Sequence, residues 1–176
     1  MSGKRAVFYC SASDLIDPKY NQAARDAVCA ACLSGYDIVS GGTVKGTMKV
    51  VCDEARKFDV RVVGVLPKFM KGLEYPDVTE CIWTDRMSER KDRMREGTDV
   101  AIALPGGIGT LEELVETLTL AKLKRYSGKV IAYNFEGFYN PLKDLLDHYG
   151  ATGMMARADR ELLSFPETID GLKALL

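Results

Sequence analysis

Short apolar runs alternate along the chain with longer stretches whose apolar residues recur every three or four positions. Residues 6–10 form a short β-prone run that ends in the polar turn 11–14, a pattern that predicts a buried first strand. Ala23, Ala24, Ala27, Val28, Ala31 and Cys32 recur at helical spacing within residues 18–33, and Gly35 supplies the stop. The same reading places strands at 37–40, 61–66 and 78–84, with a helix running to about residue 57 and a loop over 68–76. Residues 85–97 are highly charged and carry Met87, Arg90, Lys91 and Met94 on one helical face. A strand at 100–104, an amphipathic helix over 111–123 and a strand at 129–134 follow. A helix over 141–149 is expected to turn Leu142, Leu145 and Leu146 inward; beyond it come an apolar patch at 162–165 and a last helix over 166–176.

Strands alternating with helices at this pitch predict βαβ units. The expected fold is α/β and Rossmann-like: a doubly wound, mostly parallel sheet with helices on both faces. With 176 residues, 47% of them hydrophobic, the chain has the size of a single compact domain over residues 1–176, and it shows no internal repeat, low-complexity segment or linker.

Two glycine-rich turns interrupt this alternation, each between a strand and a helix: residues 41–48 and residues 104–113. The second, Leu104-Pro105-Gly106-Gly107-Ile108-Gly109-Thr110-Leu111-Glu112-Glu113, is the richer in chemistry. Glycines let the backbone approach a ligand, and the free N–H groups of a helix's first turn point at an anion with the helix dipole behind them. Both turns fall at the carboxyl ends of strands, where open α/β sheets bind their ligands. Neither the dinucleotide fingerprint G-x-G-x-x-G nor the phosphate loop G-x-x-x-x-G-K-[ST] is present. A plainer reading makes Thr110 an N-cap and Glu112 and Glu113 first-turn acids that complement the dipole.

A formal net charge of -1 gives no global attraction to nucleic acid or to an anionic membrane, so any phosphate selectivity is local. No window reaches the ~18 apolar residues of a membrane span and no signal-peptide pattern opens the chain, which points to a cytoplasmic protein. Five cysteines, an odd number, suit reduced and mostly buried thiols. Cys29 and Cys32 have redox-motif spacing but lie inside an alanine-rich helix. The single His148 and the lack of a Cys/His cluster predict no metal site, and no G-x-S-x-G elbow supports a serine triad.

With these residues in view, the sequence resembles the LONELY GUY (LOG) family of cytokinin riboside 5′-monophosphate phosphoribohydrolases, often labelled lysine decarboxylases. The carrier is the motif P-G-G-x-G-T-x-x-E, intact at residues 105–113, and the resemblance extends over about residues 6–149. It implies hydrolysis of the N-glycosidic bond of a nucleoside 5′-monophosphate to free base and ribose 5-phosphate, without a metal or organic cofactor. The family's M-H-x-R-K segment matches Met87 to Lys91, so the catalytic arginine looks like Arg90 and its acidic partner like Glu113. The substrate-binding set implied with them is Ser11, Gly42, Met87, Lys91, Pro105, Gly106, Gly107, Gly109, Thr110 and Glu112. Serine replaces a family glycine at Ser40, Thr47 and Lys49 replace leucine and glycine, and Ser88 replaces the histidine, changes that bear on substrate preference.

On this reading the amides of residues 106–110 and the Thr110 hydroxyl hold the 5′-phosphate. Glu113 stabilises the oxocarbenium-like sugar and activates water, and Arg90 keeps Glu113 ionised. The partner is a small-molecule nucleotide, AMP or its N6-prenylated form, and the resemblance implies a homodimer or larger assembly. Two other readings stay open: a non-catalytic nucleotide or molybdenum-cofactor carrier, and an amino-acid decarboxylase, for which no segment marks a pyridoxal phosphate lysine.

Overall fold

A computed structural model describes residues 3–176. In chain order the elements are β1 (Lys4–Tyr9), α1 (Pro18–Leu33), β2 (Tyr36–Ser40), α2 (Gly46–Ala55), β3 (Val62–Pro67), β4 (Glu80–Thr84), α3 (Met87–Arg95) and β5 (Val100–Ala103). They continue with α4 (Ile108–Lys122), β6 (Lys129–Ala132), α5 (Asn140–Ala151), α6 (Arg157–Arg160), β7 (Leu163–Ser164) and α7 (Ile169–Lys173). The seven strands pair in parallel in the order β4-β3-β2-β1-β5-β6-β7.

Side chains alternate across the sheet with the strand period of two. Ala6, Phe8 and Cys10 of β1 and the residue after it pack with Val28, Val51 and Leu172 on one face. Val7 and Tyr9 pack with Met94, Leu114 and Leu146 on the other. Helices α1, α2 and α7 thus cover one side and α3, α4 and α5 the opposite one. Burial on both faces is why the strands read as unbroken apolar runs in the sequence.

The chain works outward from β1 to β4, returns through α3 to place β5 beside β1, and then works outward to β7. The order therefore reverses between β1 and β5, and the connections leaving these two strands diverge to opposite sides of the sheet. A crevice opens there at the carboxyl ends, the ligand position of open α/β sheets.

Several elements depart from the sequence reading. Helix α4 begins at Ile108, inside the glycine motif rather than after it. Residues 162–165 contain a seventh strand, β7, of only two residues, which no periodicity can announce. The segment 68–76 includes a 3-10 turn, Lys68–Met70, and a bridge from Glu74 to Thr43. The last helix is limited to five residues because the Thr168 side chain takes the N-cap position, accepting from Gly171 N at 3.1 Å. Leu145 is turned outward and is 44% exposed, whereas Leu146 is buried. At about 100° per residue, positions 142 and 146 lie within about 40° of each other while 145 falls on the far edge of that stripe.

Candidate active site

The crevice between β1 and β5 holds a cavity of about 250 Å³. Its walls come from the residues after β1 (Cys10, Ser11, Ala12), the glycine turn after β2 (Thr43, Met48) and Met70 after β3, with the start of α3 (Met87, Arg90, Lys91) and the first turns of α4 opposite them. Gly107, Gly109, Thr110, Glu112 and Glu113 supply the α4 wall.

Arg90 and Glu113 meet across this cavity. Arg90 Nη1 donates to Glu113 Oε1 at 3.1 Å, with 5% and 8% of the two side chains exposed. The guanidinium is aimed by a second bond, Nε to the Val65 carbonyl at 2.9 Å. Its other terminal nitrogen lies against Gly41, where an added Cβ would stand 2.3 Å from Nη2. On the Glu113 side, Thr117 Oγ1 donates to the Glu113 main-chain carbonyl at 2.7 Å and is itself within 2.9 Å of the buried Tyr9 hydroxyl.

Burial pushes the Glu113 carboxyl above its ordinary value of 4.5, and the Arg90 charge and hydrogen bond oppose that shift without cancelling it. The sequence expectation that Arg90 holds Glu113 ionised is thus only the weaker half of the balance. The result is a carboxyl group poised to exchange a proton nearer neutrality than a solvated glutamate does.

At the start of α4 the plainer reading of Thr110 fails. The N-cap position belongs to Gly107, whose backbone offers no side-chain acceptor, and Leu111 N donates to Gly107 O at 3.1 Å. The N–H groups of residues 108–110 accordingly have no intrahelical carbonyl to bond. Thr110 sits within this turn, 3% exposed, and among the described residues its hydroxyl is the buried side-chain polar atom without a hydrogen-bond partner. Gly106 makes room for it, since a Cβ there would lie 2.2 Å from Thr110 Oγ1. At Gly107 and Gly109 an added Cβ would meet nothing within 4 Å, so these two keep open space beside the unbonded donors. Buried polar groups are nearly always paired, and this unpaired one belongs to the first turn of a helix whose Gly107, Gly109 and Thr110 line the cavity, the setting in which helix N-termini bind anions.

The other sequence-assigned residues divide. Ser11 lines the cavity, and its Oγ accepts from Ser13 N at 3.0 Å. Gly46, at φ +52°, lets the α2 start dock onto that loop, where a Cβ would come 2.6 Å from the Ala12 carbonyl carbon. Lys91 Nζ donates to Glu112 Oε1 at 2.8 Å and lies 3.1 Å from Glu116 Oε2, so Glu112 faces Lys91 rather than the Arg90–Glu113 pair. Met87 is at the mouth, 41% exposed. Gly42 does not line the cavity: at φ +66° it packs on Gly64, whose Cα would be 2.6 Å from an added Cβ. Pro105 and Gly106 lie behind the cavity wall, Pro105 buried and Gly106 against Thr110.

The departures from the family pattern have local explanations. Ser40 Oγ accepts from Gly42 N at 3.1 Å, Thr47 Oγ1 donates to Asn21 Oδ1 at 3.2 Å, and Lys49 pairs with Asp53 at 2.6 Å. Ser88 is exposed at the start of α3. Burial pushes the Cys32 thiol up to about 12, which suits a packing residue and not a redox one. His148 is exposed on α5, away from the cavity. The site set read from the sequence omits Gly41 and Met48, although both lie in the glycine-rich turn 41–48, and Met70, which nothing local marks.

The chain is similar to known proteins in sequence and in fold. The family model described as "Possible lysine decarboxylase" matches residues 48–175, past the point where the sequence resemblance stops. A cytokinin riboside 5′-monophosphate phosphoribohydrolase of Oryza sativa subsp. japonica is 33% identical over 162 residues, spanning 91% of this chain and 67% of that protein. One from Arabidopsis thaliana is 33% identical over 161 residues, spanning 90% of this chain and 75% of that protein. Among solved structures, the molybdenum cofactor binding protein of Rippkaea orientalis superposes with a TM-score of 0.72 at 22% identity over 98% of this chain and 94% of that one. The molybdenum cofactor carrier protein of Chlamydomonas reinhardtii does so with a TM-score of 0.74 at 18% identity, over 97% and 94%. At these identities the structural matches speak for the fold alone.

Proposed function

We propose, since the chain belongs to the LONELY GUY (LOG) family of cytokinin riboside 5′-monophosphate phosphoribohydrolases, that it hydrolyses the N-glycosidic bond of a nucleoside 5′-monophosphate to free base and ribose 5-phosphate. The observation that carries the site assignment is the water-poor Arg90–Glu113 pair set one helical turn from the partnerless Thr110 hydroxyl. Three residues of α4 advance about 4.5 Å, so a phosphate held at Thr110 leaves its sugar beside Glu113.

In this reading the 108–110 amides and the Thr110 hydroxyl bind the 5′-phosphate and fix the ribose. Cleavage develops positive charge on the sugar as the bond to the base breaks. The base departs with the bonding electron pair; the Glu113 carboxylate stabilises the charge left on the sugar, takes a proton from the water that attacks C1′, and gives that proton up to the departing base, which restores the carboxylate. Arg90 sets the carboxylate's orientation and opposes its protonation. Met48, Met70 and Met87 give the cavity an adaptable apolar side for the base.

The test is base release from AMP, N6-prenylated AMP and adenosine by the purified protein. Turnover of the monophosphates with little on adenosine supports the reading; equal turnover of adenosine refutes the phosphate grip. The fold shared with molybdenum cofactor carriers suggests a binding-only reading, which tight AMP binding without turnover would favour.

The proposed assembly is a homodimer or larger, supported by the outer face of α4, where Ile108 is 83% and Val115 42% exposed beside an apolar groove lined by Leu118, Leu146 and Tyr149. A cytoplasmic location fits the five free cysteines. No helix among the described residues is long and apolar enough to cross a membrane.

A further inference from the structure

The anion-binding turn is entered through Leu104, whose N–H donates to the Tyr9 carbonyl at 2.9 Å and whose own carbonyl is held from outside the site. β5 ends at Ala103, whose carbonyl accepts from Tyr133 N at 2.9 Å. The next carbonyl, that of Leu104, stands where the strand has ended and directly precedes Pro105, which has no N–H with which to fix the turn. Tyr139 Oη donates to this carbonyl at 2.7 Å, and both residues are buried.

Tyr139 is itself held rigidly. Its N–H donates to Asn134 Oδ1 at 2.7 Å, Asn134 Nδ2 donates to Asn140 Oδ1 at 2.8 Å, and Asn134 N donates to the Pro166 carbonyl at 2.8 Å. Its ring stands edge-on to Phe138 with centroids 5.0 Å apart. Burial pushes the phenol far above its ordinary range, so the donor keeps its proton. From the Leu104 carbonyl the chain passes through Pro105 to Gly106, which lies tightly against Thr110. A shift of that carbonyl is therefore passed through Gly106 to Thr110 and the first turn of α4, which lines the cavity.

We propose that Tyr139 is a positioning residue for phosphate recognition: by holding the Leu104 carbonyl it sets the turn 105–110 in the geometry that grips the anion. The inference rests on the reading of that turn as the phosphate site.

The test compares wild type with Tyr139→Phe, which keeps the ring and removes one oxygen. Calorimetry measures binding of ribose 5-phosphate and of adenosine, and thermal melting verifies the fold. Ribose 5-phosphate should bind roughly tenfold more weakly, because the buried Leu104 carbonyl loses its donor and the turn relaxes. Adenosine should change less than about twofold, and in turnover KM for AMP should rise while kcat changes much less. Unchanged ribose 5-phosphate affinity in Tyr139→Phe, or an equal loss for both ligands, overturns the proposal while leaving the site assignment intact. Wild-type protein that fails to bind ribose 5-phosphate and AMP overturns the phosphate site itself, and the proposal with it.

Discussion

Gly41→Ala isolates the contribution of arginine placement, because Gly41 needs no left-handed backbone and only the space it leaves is at stake. Its added Cβ would stand 2.3 Å from Arg90 Nη2 and 2.6 Å from Met48 Sδ. Ordinary contact is about 3.5 Å, so the guanidinium must retreat by about 1 Å. The bonds at risk are 3.1 Å to Glu113 and 2.9 Å to the Val65 carbonyl, and a displacement of that size breaks one or both. A misplacement of about 1 Å at a reacting group costs on the order of 10²-fold in rate. Stability should fall by up to the ~3–5 kcal/mol of a broken buried ion pair, because the Arg90 guanidinium stays charged and buried whatever Glu113 does. The expected signature is a lowered melting temperature in a protein still folded at the assay temperature, and AMP turnover down about a hundredfold. The acid limb of the rate profile should also move to higher pH, since the charge that opposed protonation has moved away. Base release measured between pH 4 and 8 would read all of this, and a variant within threefold of wild type with an unmoved acid limb would refute the positioning argument.

Glu113→Gln should lower turnover by about 10³-fold while ribose 5-phosphate still binds, as general-base contributions of ~10²–10⁴ imply; near wild-type rates would remove Glu113 from the chemistry. In the wild type a carboxyl raised above 4.5 contributes stability that is full below 4.5 and is lost as pH rises through the folded-state value; melting curves should show that fall, and Glu113→Gln should flatten it. Thr110→Val removes a hydroxyl that bonds nothing in the protein, so the variant should melt at or slightly above the wild-type temperature yet bind ribose 5-phosphate roughly tenfold more weakly, a pairing of signs that a purely structural threonine cannot give. Gly46→Ala brings a Cβ within 2.6 Å of the Ala12 backbone at φ +52°, and should destabilise by about 1–3 kcal/mol in denaturant titrations; an unchanged midpoint would show that the two loops are not locked together there.

The alternation of elements was legible because buried parallel strands are apolar throughout and the helices between them carry a period near 3.6. What escaped has local causes. β7 is two residues long, and Leu145 and Leu146 compete for one apolar stripe that only packing on the sheet decides. The glycine motif was recognisable as a turn between a strand and a helix, but the start of α4 at Ile108, which takes the cap from Thr110 and leaves its hydroxyl unbonded, depends on how β5 enters the turn. The pairing of Arg90 with Glu113 came from family resemblance; spacing along the chain does not bring α3 against α4. Gly41 under the guanidinium and the Tyr139 hydroxyl on the Leu104 carbonyl join residues far apart in the chain, and no local pattern encodes such contacts. The upward shift of Glu113 was missed for the same reason, since it comes from burial and burial is a property of the fold.

The family's description as a possible lysine decarboxylase can be weighed against the lysine that lines the cavity. A Schiff-base lysine reacts as a neutral amine, favoured where burial or a neighbouring cation depresses its pKa. Lys91 is in the opposite setting: bonded to Glu112 at 2.8 Å and 3.1 Å from Glu116, it has its pKa pushed up and stays a cation. Arg95 repeats the pattern one turn later, at 2.8 Å from Glu116, so the seam between α3 and α4 is a row of ion pairs. Those that reach solvent through Glu112 or Glu116 hold the helices in register at small net gain. Arg90–Glu113 alone in that row has both partners removed from water, where the desolvation penalty makes an ion pair a poor means of holding two helices together. A hydrophobic pair of similar volume would hold α3 to α4 at least as well. On the proposed reading the charge is kept there, one turn from a helix N-terminus with an unsatisfied hydroxyl, for the ligand rather than for the fold.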